Sequence, residues 1–207
     1  MEIIDLSILI TNGMGVPGEN DDGYSDPEVR IEPWVTLDTK AFAVTEINMG
    51  SHTGTHCDVS SHVVRNGKTI SDYDISTWVG WAHILDFTGY KEITAENIIP
   101  YKRTLETDKN LIPILKNSPT DFFTSEARDI IIACKPKAII MGKGMNQDGI
   151  EDTLNYLRAD IPMIMQADHN ALKLVEDGDL IVALPLKIQG TEAAPIRLIA
   201  VKGLIER

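Results

Sequence analysis

The chain has 207 residues, 43% hydrophobic and 24% charged, with no Pro/Gly/Ser-rich linker or repeat, which fits one well-buried soluble domain. Its formal net charge of −12 argues against nucleic acid and anionic membranes as partners, since both select basic surfaces, but says little about the substrate, because a small local site can oppose the global charge. No apolar run approaches the ~20 residues of a membrane span, Met1 to Asp5 lacks the basic start of a signal peptide, and two cysteines make no disulfide framework, so a cytoplasmic location is expected.

In chain order, Glu2 to Ile10 predicts a buried opening strand that stops at the turn signal Thr11-Asn12-Gly13. Gly15 to Asp26 carries three glycines, Pro17 and the acidic cluster Glu19 to Asp22, and predicts an irregular loop, either solvated or folded over substrate as a flap. Val29 to Leu37 and Ala41 to Met49 predict two strands, the second leading straight into a run dense in functional side chains.

That run is Ser51-His52-Thr53-Gly54-Thr55-His56-Cys57-Asp58-Val59-Ser60-Ser61-His62, with three of the five histidines in eleven residues. Imidazole and carboxylate suit a divalent cation such as zinc, manganese or iron. On a helix, Asp58 would point about 200° away from His56, so one helix cannot aim all the ligands. On an extended strand residues 52, 56, 58 and 62 share a face, but His52 and His56 stand about 13 Å apart. Gly54, midway, can take backbone angles closed to its threonine neighbours and so draw the two imidazoles together. The motif is therefore expected on a bent strand end. His52, His56 and Asp58 are the expected ligands, and His62 faces the ion without binding it. Cys57 has the opposite parity and should pack into the core.

After the run, Asn66-Gly67 is a turn signal, Ser71 to Ser76 reads as loop, and Trp78 to Phe87 as strand, with His83 inside it a structural residue. Thr94 should cap a helix through Tyr101, Asn110 to Leu115 a strand, Thr124 a helix through Cys134, and Lys137 to Met141 a strand. A stripe of Ile150, Leu154 and Leu157 predicts a helix, Ile161 to Met165 a buried strand, and Asp168 or His169 the start of a short helix to Val175. Strands over Leu180 to Leu186 and Ile196 to Val201 close an α/β domain with a mixed sheet.

The run resembles the signature His-x-Gly-Thr-His-x-Asp-x-Pro-x-His of the cyclase, or kynurenine-formamidase-like, family of metal-dependent hydrolases, departing from it only at Ser60, where proline is usual. Asp5-Leu6-Ser7, Pro17-Gly18, Ala183 to Ile188 and Ala194 to Arg197 support the resemblance along the chain. It implies one domain over residues 1 to 207 of swivelling β/β/α architecture, and a homo-oligomer, dimer or tetramer. It also implies hydrolysis of a C–N or C–O acyl bond in a small cyclic amide, formamide or lactone. A single zinc or manganese ion would acidify a bound water and polarise the carbonyl, with His62 as general base.

Two-metal relatives carry a further histidine and glutamate near the C-terminus. Thr153 and Met165 or Gln166 stand there instead, which points to the single-metal, isatin-hydrolase-like branch. Gln166 is then either a fourth ligand through its amide oxygen or a strand-end residue bonded to backbone. His169 either assists catalysis or is a surface residue at a helix start. A metal-binding but inactive member of the same fold is the alternative reading.

Overall fold

The structure is a computed structural model that describes residues 1–16, 18, 25–116, 123–141 and 150–204, with backbone alone for residues 150–153. The Pro17 turn, the acidic cluster Glu19 to Asp22 and the side chain of Thr153 lie outside the described residues. The chain folds as β1 (Glu2–Asp5), β2 (Arg30–Val35), β3 (Val44–Asn48), β4 (His56–Asp58), β5 (Val79–Asp86), α1 (Ala95–Thr107), β6 (Leu111–Lys116), α2 (Ser125–Cys134), β7 (Ile139–Met141), α3 (Ile150–Arg158), β8 (Met163–Met165), α4 (His169–Leu172), β9 (Leu180–Val182), β10 (Ala193–Pro195) and β11 (Ile199–Lys202). Nine of the strands form one mixed sheet in the order β1-β11-β9-β5-β6-β7-β8-β4-β10.

The centre of this sheet, β5-β6-β7-β8, is parallel. Each parallel step needs a crossover, and α1, α2 and α3 supply the three in turn. Ile98 and Leu105 of α1, Ala127, Ile131 and Cys134 of α2, and Leu157 of α3 pack with Leu85, Leu115, Ile139 and Met163 in one core cluster. Alternate residues of the same strands, Ile112, Ile114, Ile140 and Ile164, join Cys57, Trp78 and Leu172 in a second. Burial on both faces explains the near-continuous apolar stretch of β6.

The sheet curls, and residues 6 to 8 stitch its two ends. Leu6 donates its N–H to Leu198 O at 2.9 Å, and its own carbonyl accepts from Asp168 N at 2.8 Å. The opening strand therefore stops at Asp5, short of the expected Ile10, because the next residues bond to Leu198, just before β11, and to Ala167 and Asp168, past β8. Other departures have similar local causes. Helix α1 runs past Tyr101 to Thr107 although Pro100 removes one helical N–H, since Ile98 and Leu105 are both buried by it. Short 3-10 turns, Ile70–Asp72 and Ile75–Trp78, occupy the expected loop before β5. β10 was not expected at all: Ala-Ala-Pro has no periodic signal, and it is a strand because it pairs with β4. β2 and β3 form a separate two-stranded hairpin outside the main sheet, exposed along most of both strands.

β4 is held on both sides, by β8 and by β10, with His56 opposite Met165 and Pro195 and Asp58 opposite Met163 and Ala193. Thr55, just before it, is the knot. Its hydroxyl accepts from Ile8 N at 2.9 Å and donates to Gln166 O at 2.7 Å, while its carbonyl accepts from Ile196 N at 2.9 Å. Gly54 makes the bend into β4 with φ +66°, as its position between the histidines suggested, and a Cβ there would stand 2.9 Å from Cγ1 of Ile10. Gly54→Val adds both a left-handed β-branched residue, a strain of about 1–3 kcal/mol, and that clash. The variant should show a lower chemical denaturation midpoint and lose bound divalent ion in dialysis; wild-type values for both would place the essential bend elsewhere.

Candidate metal centre

The bend at Gly54 brings the rings of His52 and His56 to 5.2 Å between centroids, edge to face. Nδ1 of His52 and Nε2 of His56 lie 2.9 and 3.2 Å from the same oxygen, Oδ1 of Asp58. Those separations approach the ~3.3 Å edge of a tetrahedron built on metal–ligand bonds of about 2 Å. His52, His56 and Asp58 form the one group of candidate metal ligands among the described residues. All three side chains are largely buried, Asp58 at 5% exposure.

The hydrogen bonding shows what the group is for. Nδ1 of His56 is 2.7 Å from Gly54 O. A carbonyl only accepts, so Nδ1 carries a proton and Nε2 is the nitrogen left for an ion. That nitrogen faces Oδ1 of Asp58, an oxygen that is buried and accepts no hydrogen bond of good geometry among the described residues. Once Nε2 is deprotonated the two atoms repel unless a cation lies between them, so the donor set fits a divalent ion.

Burial opposes ionisation of Asp58, but its contacts with His52 and His56 and their charge hold its carboxyl well below the usual range. Burial likewise works against a charged His52. The adjoining carboxylates, Asp58 first and then Asp26 and Glu192, prevail and hold that ring above its ordinary value. An ion taking the Nδ1 lone pair would displace the proton there.

His62 follows β4 on a 3-10 turn, Ser60–His62, and its ring centroid lies 4.5 Å from that of His52. It is outside the ligand group. Burial lowers its pKa despite the opposite pull of Asp58. Ser60, where the family has proline, does not loosen this turn: its buried hydroxyl accepts from Lys68 N at 2.9 Å. Gly67 lies so close that a Cβ would be 2.7 Å from the Ser60 carbonyl carbon. Cys57 turns away into the core with its thiol pushed up by burial, and both it and Cys134 are free thiols. His83, on β5, pairs with Asp177 at 3.1 Å and is not part of the candidate ligand group.

Gln166 follows β8 with φ +54° and is half-buried, and its backbone carbonyl is taken by Thr55. Met165 is the residue directly opposite His56. His169 is exposed in the first turn of α4, which Asp168 caps through its side chain. Sequence reasoning missed Glu192. It immediately precedes β10, its backbone carbonyl accepts from Val59 N at 2.9 Å, and Oε1 lies 2.6 Å from Ser51 Oγ and 3.4 Å from Nε2 of His52. Ser51 and Glu192 are 141 positions apart, and no local pattern marks the contact. Asp26 is a second buried carboxylate acting on His52.

The chain is 26% identical over 218 aligned residues to a kynurenine formamidase of Bacillus cereus, with 96% of each protein covered. It is 27% identical over 212 residues to one from Bacillus thuringiensis subsp. konkukian, again covering 96% of each. Its backbone matches isatin hydrolase A from Ralstonia solanacearum with a TM-score of 0.78 over 97% of this chain and 92% of that one, at 16% identity, a likeness of fold. Residues 4–113, more than half the chain and including the entire histidine-rich run, match the family described as "Putative cyclase". The chain belongs to the cyclase family.

Proposed function

We propose that the protein is a metal-dependent hydrolase that opens a C–N or C–O acyl bond in a small formamide, cyclic amide or lactone. The observation that carries this reading is the buried Oδ1 of Asp58 set against Nε2 of His56, the ring nitrogen that Gly54 O leaves for an ion. The relatives are named for formamide and cyclic-amide chemistry, and the match to the formamidases runs nearly end to end. A divalent ion, when bound, supplies the Lewis acidity that acidifies water and polarises an acyl oxygen. Zinc and manganese both suit a site of two imidazoles and a carboxylate.

The chain's own residues divide the remaining work. Gly54 O fixes the tautomer of His56. β8 and β10 hold β4, so that His56 and Asp58 keep their places as the site is occupied. We assign His62 as the group that takes a proton from a nucleophile and returns it to a leaving group, supported by its ring lying beside that of His52 and outside the candidate ligand group. We assign Gln166 as the fourth ligand, supported by its place one residue past the partner of His56, and His169 as a solvent-side proton carrier. The firm hold of Lys68 and Gly67 on the Ser60 turn supports an active site over an inactive one.

We further assign a homo-oligomer and a cytoplasmic location. The β2–β3 hairpin and its flanks expose Trp34, Leu37, Phe42 and Ile47, each more than half accessible, a patch of the kind that a second subunit covers. Two free thiols suit a reducing compartment, and no helix among the described residues is long and apolar enough to cross a membrane.

A panel of formamides, cyclic imides and lactones, assayed with zinc- or manganese-loaded protein, should contain a substrate. His62→Ala should keep its ion while turnover falls ~10²–10⁴-fold. An ion-loaded protein inert to the whole panel would favour the inactive reading, and unchanged turnover in the variant would remove His62 from the chemistry. Light scattering should give a dimer or tetramer that Trp34→Glu with Phe42→Glu dissociates; a wild-type monomer would overturn the assembly.

A further inference from the structure

The two ligand histidines need their second ring nitrogens held, or the rings turn and the lone pairs leave the ion. For His56 the holder is Gly54 O at 2.7 Å. For His52 the Nδ1 edge faces Asp58, and the opposite nitrogen, Nε2, faces Oε1 of Glu192 at 3.4 Å. We infer that Glu192 is a positioning residue for the metal centre: it takes the Nε2 proton of His52 and so directs the Nδ1 lone pair to the ion. This rests on the metal-dependent reading given above.

Three features fit Glu192 for that task. It is anchored in the backbone, since its carbonyl accepts from Val59 N and the next residue, Ala193, pairs with Asp58 across β4 and β10. The same Oε1 that faces His52 accepts the hydroxyl of Ser51 at 2.6 Å, which fixes the carboxylate rotamer from the residue adjoining the histidine itself. The arrangement is also asymmetric in a useful way. Gly54 O is a neutral acceptor on a bend that cannot shift without moving β4, whereas Glu192 brings a negative charge from the far end of the sequence. His52, which stands in the turn before β4 and has no strand partner, receives the stronger hold. A carboxylate behind an imidazole also raises its basicity as a ligand.

The test is divalent-ion affinity, measured by competition with a chromogenic chelator, together with the visible spectrum of the cobalt-substituted protein. Glu192→Ala should bind zinc 10–100-fold more weakly, the range typical for the loss of such a partner. Glu192→Gln, which keeps an acceptor oxygen in place, should recover most of that affinity and leave the cobalt spectrum that of the wild type. Ser51→Ala, which frees the carboxylate without removing it, should give a smaller loss than Glu192→Ala and guards against a fold defect at residue 192. Wild-type affinity in Glu192→Ala overturns the inference while leaving the metal site standing. An equal loss in Glu192→Gln, with a changed cobalt spectrum, also overturns it and makes Glu192 a direct ligand. A wild-type protein that binds no zinc overturns both the inference and the reading beneath it.

Discussion

A carboxylate that is both buried and ionised has to be matched by positive charge, and the site is arranged around that requirement at Asp58. Its Oδ1 sits within 3.2 Å of two imidazole nitrogens, out of reach of solvent and without a hydrogen bond of good geometry among the described residues. One of those nitrogens is left for an ion because Nδ1, on the other side of the ring, donates to Gly54 O. An unmatched buried charge costs several kcal/mol, more than most single interactions contribute. A divalent ion resolves the conflict, so ion binding and local stability are coupled.

The fold supplies rigidity where that conflict is placed. A three-residue strand would be weak alone, but β4 lies between β8 and β10, and the parallel block β5 to β8 stands behind it with helices on one face. Thr55 fastens three distant segments at the point where the sheet curls, through one hydroxyl and one carbonyl. The Ser60 turn, clamped by Lys68 N and by the close approach of Gly67, then carries His62 back beside His52. The candidate ligands thus come from one short stretch, while the groups that hold them come from both ends of the chain.

That division explains what could be read from the sequence. The ligand run was legible because its geometry is local: parity put Cys57 in the core, and the need to bring two histidines together put a positive φ at Gly54. The succession of strands and helices from β5 to α4 was legible because burial imposes a period on it. Glu192 and β10 were not, since Ala-Ala-Pro carries no pattern and its strand character comes wholly from pairing with β4. Nor was the exposure of the β2–β3 hairpin. Alternating apolar residues look the same whether they face this chain's core or a second subunit. The last turn and a half of α1, past Tyr101 to Thr107, was not legible either, because what extends it is the burial of Leu105 against the sheet.

The most direct measurement is an anomalous-difference map from crystals of the protein loaded with zinc or manganese. One peak per chain, about 2.0–2.2 Å from Nδ1 of His52, Nε2 of His56 and a carboxylate oxygen of Asp58, is the result this account predicts. Two peaks in the site, or a single peak away from those three atoms, would contradict it.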